Sequence, residues 1–184
     1  MKEIKAPYKF TPLKKFSIFL SGSIEQGKAV NWQDKICSYL EDKDIIILNP
    51  RRDDWDSSWV QSITNPQFKQ QVEWELEALE KADLVVVYFD KDTKSPITLL
   101  ELGFLARSGK LIVCCPKGFW RKGNVDIICE RYDIQQVDSL EELVLAIHYK
   151  YTLLLLSQSN TCICCGTEIP SNWDLCKVCK GKEG

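Results

Sequence analysis

Leu84-Val85-Val86-Val87-Tyr88-Phe89 is an unbroken apolar run, which predicts a strand buried on both faces of a sheet. A short polar segment follows it, and then comes Ser95-Pro96-Ile97-Thr98-Leu99-Leu100-Glu101-Leu102-Gly103-Phe104. Pro96 suits the first position of a helix, and Gly109 suits its end. The stretch therefore predicts a strand followed by a helix, the repeating unit of an α/β fold.

The same alternation extends over most of the chain. Further buried strands are predicted at 16–20, 45–48 and 110–115, and one or two short strands at 126–129 and 134–137. Helices are predicted at about 27–41, 67–81 and 138–157. The pattern indicates a doubly wound parallel sheet of about five strands, flavodoxin-like or Rossmann-like.

Three regions are expected along the chain: a lead-in segment, an α/β domain and a small tail. Residues 1–15 are polar and basic with two prolines, and we expect them to be poorly ordered. The α/β domain is expected over 16–158. The tail, 159–184, resembles a zinc ribbon.

The bulk composition excludes some classes of function. The 184 residues carry a formal net charge of -2, so a broad basic surface for nucleic acid is absent. Neither a signal peptide nor an apolar run long enough to cross a bilayer is visible, and we expect a cytoplasmic protein without a membrane partner. The lysines near the chain's end are the one feature that could support nucleic-acid binding, through the tail.

Five of the nine cysteines crowd into residues 162–179. Two C-x-x-C pairs can supply four thiolates to a tetrahedral site, which predicts one structural zinc ion at Cys162, Cys165, Cys176 and Cys179. The alternative is a tail of reduced, metal-free cysteines. Because such a site is closed, its zinc would fold the tail and take no part in catalysis.

Glu101 is a carboxylate inside an apolar helical run, and carboxylates are rarely buried without a partner or a task. Its helix follows the strand at 84–89, so Glu101 is expected near the carboxyl ends of the strands, where open α/β sheets bind ligands. In a dry site it could act as a nucleophile or a base.

Other polar residues are expected at the same edge of the sheet. Gly22 and Ser23 form a strand-to-helix turn that could hold a phosphate, or a plain turn. Ser95 is expected to cap its helix, and its hydroxyl could also hold a phosphate or a sugar hydroxyl.

Three more segments carry candidate residues with simpler alternatives. Glu75 is either a site carboxylate or a solvated helix charge, and Asp83 could serve the site or pair locally. Asp53, Asp54 and Trp55 suit a heterocycle, by accepting from its N–H edge and stacking on its face, or they are a charged surface loop.

Together these residues resemble the nucleoside 2-deoxyribosyltransferase family, in its 2-deoxyribosyltransferase-like branch. The resemblance runs over about 16–146 in matching order, and the cysteine-rich tail lies outside it. The segments that carry it are Phe19-Leu20-Ser21-Gly22-Ser23-Ile24, Asn49-Pro50-Arg51-Arg52-Asp53-Asp54-Trp55, Glu73-Trp74-Glu75-Leu76-Glu77, Ala82-Asp83 and Ser95–Gly103.

The resemblance implies specific roles. Glu101 matches the nucleophile that attacks C1′ of the sugar, and Glu75 matches a carboxylate that protonates or holds the leaving base. Ser95, with Gly22 and Ser23, matches the phosphate side of the related monophosphate N-glycosidases. Asn124 falls in a region that reaches a substrate, either that of its own subunit or that of a neighbouring one, because family members are oligomers. No organic cofactor is implied.

The chain departs from the family at Phe19, where members often carry a tyrosine whose hydroxyl orients the nucleophile. Glu101 must therefore be oriented in another way, or its activity is altered. The leading prediction is a nucleoside or nucleotide N-glycosyl transferase or hydrolase. The alternative is a weakly catalytic or non-catalytic nucleotide sensor that signals through the zinc ribbon.

Overall fold

A computed structural model of the chain describes residues 1–24, 31–158, 165 and 167. Its contacts divide the chain into two compact units, Met1–Leu143 and Val144–Gly184. The predicted boundary between residues 158 and 159 stays a prediction, because most of the tail lies outside the described residues. No described helix is long and apolar enough to cross a bilayer.

The first unit contains a six-stranded parallel sheet in the order β1-β3-β2-β4-β5-β6. The strands are β1 (Lys2–Lys5), β2 (Ser17–Gly22), β3 (Ile46–Asn49), β4 (Leu84–Tyr88), β5 (Leu111–Cys114) and β6 (Gln135–Val137). The helices are α1 (Trp32–Tyr39), α2 (Pro66–Lys81), α3 (Pro96–Leu105) and α4 (Lys122–Arg131), and α5 (Leu140–Gln158) begins in the first unit and continues into the second. The predicted α/β class with a parallel sheet is confirmed.

Apolar residues at alternate strand positions build the core beneath α2, α3 and α4. Phe19, Val85, Val87 and Val113 lie in one buried cluster with residues of these three helices. From β3 the chain crosses β2 to reach β4, and right-handed crossovers then place α2 on the face opposite α1. The sheet is therefore doubly wound, as predicted.

Two predictions about local structure were wrong. Residues 1–15 are not a loose lead-in, because β1 pairs with β3 and Phe10 is buried in the core. Residues 126–129 are not a strand but part of α4, whose Val125 and Cys129 are buried. A short apolar run does not distinguish a strand from a buried helical segment.

Gly22 ends β2 at a point where no side chain fits. A Cβ atom there would lie 2.5 Å from the Tyr88 carbonyl oxygen and 2.7 Å from the Trp32 ring. Trp32 also stacks on Tyr88 at 5.0 Å, and its Nε1 donates to the Ser23 carbonyl oxygen at 3.2 Å. The glycine thus lets α1 close against the end of the sheet.

We expect Gly22→Ala to destabilise the protein by about 1–3 kcal/mol, since the added methyl group overpacks this contact. Chemical denaturation measures the change in the free energy of unfolding. Gly103→Ala is the matched control: a Cβ atom there meets nothing within 4 Å, and alanine is the better helix former. Equal stability of the Gly22→Ala and wild-type proteins would contradict this account.

Candidate active site

The candidate site lies at the carboxyl ends of β2 and β4, the two central strands. After β2 the chain turns to one side to form β3, and it then crosses to the other side to form β4. The connections that follow β2 and β4 therefore diverge, which opens a crevice at this topological switch point. Ser21, near the end of β2, and Glu101, on the helix that follows β4, meet there.

A hydrogen bond from Ser21 holds the Glu101 carboxylate. The Ser21 Oγ donates to Glu101 Oε2 at 2.6 Å, and Ser21 is 1 % exposed. Ser21 lies two residues after Phe19 on the same strand, so both side chains point to the same face. Phe19 has no hydroxyl group, and Ser21, two residues further along β2, supplies one instead. This hydrogen bond is what orients Glu101.

Phe19 itself is a core residue. It is fully buried, and its ring lies 6.3 Å from that of Trp74 on α2. Ser21 was not predicted as a site residue, because a serine at the end of a strand is typical of a turn.

Burial raises the pKa of Glu101 to about 7; the Ser21 hydrogen bond works against this rise, and the negative charge of Glu75 adds to it. Burial also raises the pKa of Glu75, and a hydrogen bond from Gln71 opposes that rise. Two carboxyl groups with raised pKa values and mutual repulsion favour a state in which one is protonated and the other ionised. Such a pair can provide a nucleophile and an acid.

Glu75 is positioned by α2 and by one buried amide. Asn65 caps this helix, its Oδ1 accepting from the Phe68 N–H at 3.0 Å, and Pro66 takes the first position. One turn before Glu75, Gln71 Nε2 donates to Glu75 Oε1 at 2.9 Å and to the Pro50 carbonyl oxygen at 2.8 Å. Sequence reasoning missed Gln71, although its spacing of four residues from Glu75 was a signal.

Ser23 and Ser95 come together with Thr93 in a buried cluster of three hydroxyl groups. Thr93 Oγ1 lies 3.0 Å from Ser23 Oγ and 2.7 Å from Ser95 Oγ, and the two serine hydroxyls are in direct contact. The Asp90 N–H donates to Ser23 Oγ at 3.0 Å. The cluster joins the turn after β2 to the start of α3.

The prediction that the Ser95 side chain caps α3 was wrong. Ser95 occupies the N-cap position, but its hydroxyl makes no capping hydrogen bond and joins the hydroxyl cluster instead. Its φ of 47° lies in the left-handed region, which is strained for a residue with a Cβ atom and is common at functional sites.

In the loop after β3, Asp53, Asp54 and Trp55 pair with residues other than Glu101. Asp53 pairs with Lys5 at 2.6 Å, Asp54 pairs with Arg52 at 2.6 Å, and both aspartates are exposed. Trp55 is exposed and packs edge-on against Trp59 at 5.2 Å. These three residues are exposed at the surface, and their predicted contact with a heterocycle stays a prediction.

Asp83 lies at the opposite edge of the sheet from Ser21 and the end of β2, and Asn124 lies on α4. Asp83 precedes β4, at the amino edge of the sheet, where its Oδ2 accepts from the Ser17 backbone N–H at 2.9 Å and the Ser17 hydroxyl at 2.7 Å. This is the local pairing considered as its alternative. Asn124 is exposed in the first turn of α4.

Of the four predicted zinc ligands, only Cys165 lies among the described residues, where it is exposed with its Sγ 3.2 Å from Thr167 Oγ1. Within the described part of the chain, no group of three or more histidine, cysteine or acidic residues could hold a metal ion. The other three predicted ligands, Cys162, Cys176 and Cys179, lie outside the described residues, so the zinc site stays a prediction.

Fold and site define a doubly wound α/β protein with a carboxylate pair at the switch point of its sheet. A family model described as "Nucleoside 2-deoxyribosyltransferase like" matches residues 15–119, more than half of the chain. The chain therefore belongs to the nucleoside 2-deoxyribosyltransferase-like family. The matched span includes Ser21, Glu75, Ser95 and Glu101, and it ends before Asn124 and the cysteine-rich tail.

A solved structure supports the fold. A conserved protein from Enterococcus faecalis V583 is 15% identical, with a TM-score of 0.55, over 74% of this chain and 99% of its own. At this identity the likeness shows the fold alone. A comparison with curated proteins gives no match.

We expect Ser21→Ala to raise the pKa of Glu101 by about one pH unit, since a hydrogen bond to the charged form favours ionisation. Carbon-13 NMR titration of labelled glutamate carboxyl groups, assigned with Glu101→Gln, measures it. Ser17→Ala is the matched control, because Ser17 lies at the other end of β2 and binds Asp83. An unchanged Glu101 titration in Ser21→Ala would show that the contact is without effect.

Proposed function

We propose that the protein cleaves the N-glycosidic bond of (2-deoxy)nucleosides or their 5′-monophosphates through a glycosyl-enzyme intermediate on Glu101. Family membership supports a nucleoside-related glycosyl transfer. The observation that carries the proposal is the Ser21–Glu101 hydrogen bond, which orients a partly buried carboxylate whose pKa also responds to the charge of a second one, Glu75.

In the first step, a Glu101 oxygen forms a bond to C1′ as the C1′–N bond breaks. Because Ser21 engages Oε2, we assign the attack to Oε1. The electron pair of the broken bond leaves with the base, which takes a proton from Glu75. The transition state resembles an oxocarbenium ion, and the ionised Glu101 stabilises this positive charge before it traps C1′ covalently.

In the second step, an acceptor attacks C1′ and releases Glu101. Glu75, now ionised, takes the proton that the acceptor loses. Capture by a second base is transfer, and capture by water is hydrolysis. No step requires a metal ion or an organic cofactor.

The hydroxyl cluster of Ser23, Thr93 and Ser95 supports a 5′-phosphate on the substrate. It lies at the start of α3, where helix N–H groups favour an anion. We propose that Asn124 contacts the substrate of a neighbouring subunit in an oligomer, as the family resemblance implies. Comparison of the cleavage of deoxyadenosine with that of its monophosphate tests whether the site prefers a 5′-phosphate.

We expect Glu101→Gln to lower kcat/KM by about 10⁴-fold or more, because the nucleophile is lost. Glu75→Gln should cost about 10²- to 10⁴-fold with a natural base, and far less with 2-deoxyribose linked to a nitrophenolate, which leaves without a proton. Product analysis and mass-spectrometric mapping of the trapped glycosyl adduct provide the measurements.

Glu73→Gln is the matched control on α2, since Glu73 is exposed and pairs only with Lys69 at 3.4 Å among the described residues. An active Glu101→Gln protein would overturn the assignment of the nucleophile. Ligand-induced stabilisation of the wild-type protein without turnover of any nucleoside or nucleotide would instead support the sensor.

We also propose, from the cysteine spacing alone, that the tail binds one structural zinc ion through Cys162, Cys165, Cys176 and Cys179. Elemental analysis should find about one zinc per chain, and Cys176→Ser should lower this content and destabilise the tail. Cys37→Ser, in α1, should leave it unchanged. Equal zinc content in the Cys176→Ser and wild-type proteins would contradict the site.

A further inference from the structure

Gln71 carries a buried hydrogen-bond acceptor that nothing in the described structure satisfies. The residue is 4 % exposed, and its Oε1 has no partner among the described residues. A buried polar atom without a partner costs free energy, and such atoms in native proteins mark a water or ligand position. This atom belongs to the same amide that binds Glu75, so it lies beside the candidate leaving-base position.

The orientation of the amide follows from the Pro50 carbonyl, which can only accept. Gln71 Nε2 must face it, and the 2.8 Å contact is a genuine N–H donation. The second N–H of the same group points at Glu75 Oε1, at 2.9 Å. Both donor positions of the amide are therefore used within the protein, and only its acceptor remains.

The hydrogen bond from Gln71 also indicates which oxygen of a protonated Glu75 carries the proton. Oε1 already accepts from Gln71, and the carbonyl oxygen of a carboxylic acid is its better acceptor. The proton accordingly sits on Oε2. The hydrogen-bonded pair of Gln71 and Glu75 then offers a donor on Glu75 Oε2 and an acceptor on Gln71 Oε1.

We propose that Gln71 makes the site selective for 6-aminopurines, and this inference rests on the proposed role of Glu75 at the leaving base. Adenine presents an N7 acceptor next to an N6 amino donor, which complements the Glu75 donor and the Gln71 acceptor. Guanine and hypoxanthine carry O6, an acceptor, in place of the N6 amino group. This oxygen would face the acceptor Oε1 of Gln71. Protonation at N7 is also the step that prepares a purine to leave from N9.

Binding of free bases tests the proposal without requiring turnover. Calorimetry on the acidic side of neutrality, where the raised pKa of Glu75 favours its protonated form, should show adenine binding about 10- to 100-fold more tightly than hypoxanthine, the discrimination that one well-made base contact provides. 7-Deazaadenine, which lacks N7, should bind more weakly than adenine by a similar factor. In Gln71→Met the ratio of adenine to hypoxanthine affinity should fall close to one.

Gln67→Met is the matched control, because Gln67 lies one turn earlier on α2 and is exposed. It should keep the wild-type ratio. The ratio of affinities can also be measured for deoxyadenosine and deoxyinosine monophosphates with the Glu101→Gln protein, which should bind these substrates without cleaving them.

Hypoxanthine or guanine binding as tightly as adenine, retention of selectivity in Gln71→Met, or no purine binding at all would overturn the inference. Selective adenine binding that depends on Gln71 but occurs without cleavage of any nucleoside would uphold it while the proposed catalytic function fails.

Discussion

The parallel pairing of β2 with β4 is the constraint on which the site depends. It joins the first long strand of the chain to one that begins more than sixty residues later, with Ser21 opposite Val87 and Gly22 opposite Tyr88. This pairing sets the turn after β2 beside the loop that leads into α3. The Ser21–Glu101 contact and the hydroxyl cluster both follow from it.

The two carboxyl groups share a poorly solvated region yet receive different partners. A hydroxyl from the sheet holds Glu101, and an amide from the preceding helical turn holds Glu75. Each partner donates to the carboxylate and so limits the rise in its pKa that burial causes. Two glutamates can therefore take different roles, because the environment of each carboxyl group differs although the residue type is the same.

Much of this fold was predictable from sequence, because strands buried on both faces are recorded as continuous apolar runs. β1 was missed since its Lys-Glu-Ile-Lys composition carries no such run, and only pairing with β3 makes it a strand. Glu101 and Glu75 could be proposed from local sequence and family likeness. Ser21 could not, because its partner lies 80 residues away and only the tertiary fold brings them together.

The charged character of β1 has a consequence for assembly. β1 forms one outer edge of the sheet, and an open strand edge invites pairing with a strand from another chain. Lys2, Glu3 and Lys5 load this edge with charge, the means by which natural sheets resist edge-to-edge aggregation. The charges on β1 therefore disfavour extension of the sheet by a strand from another chain.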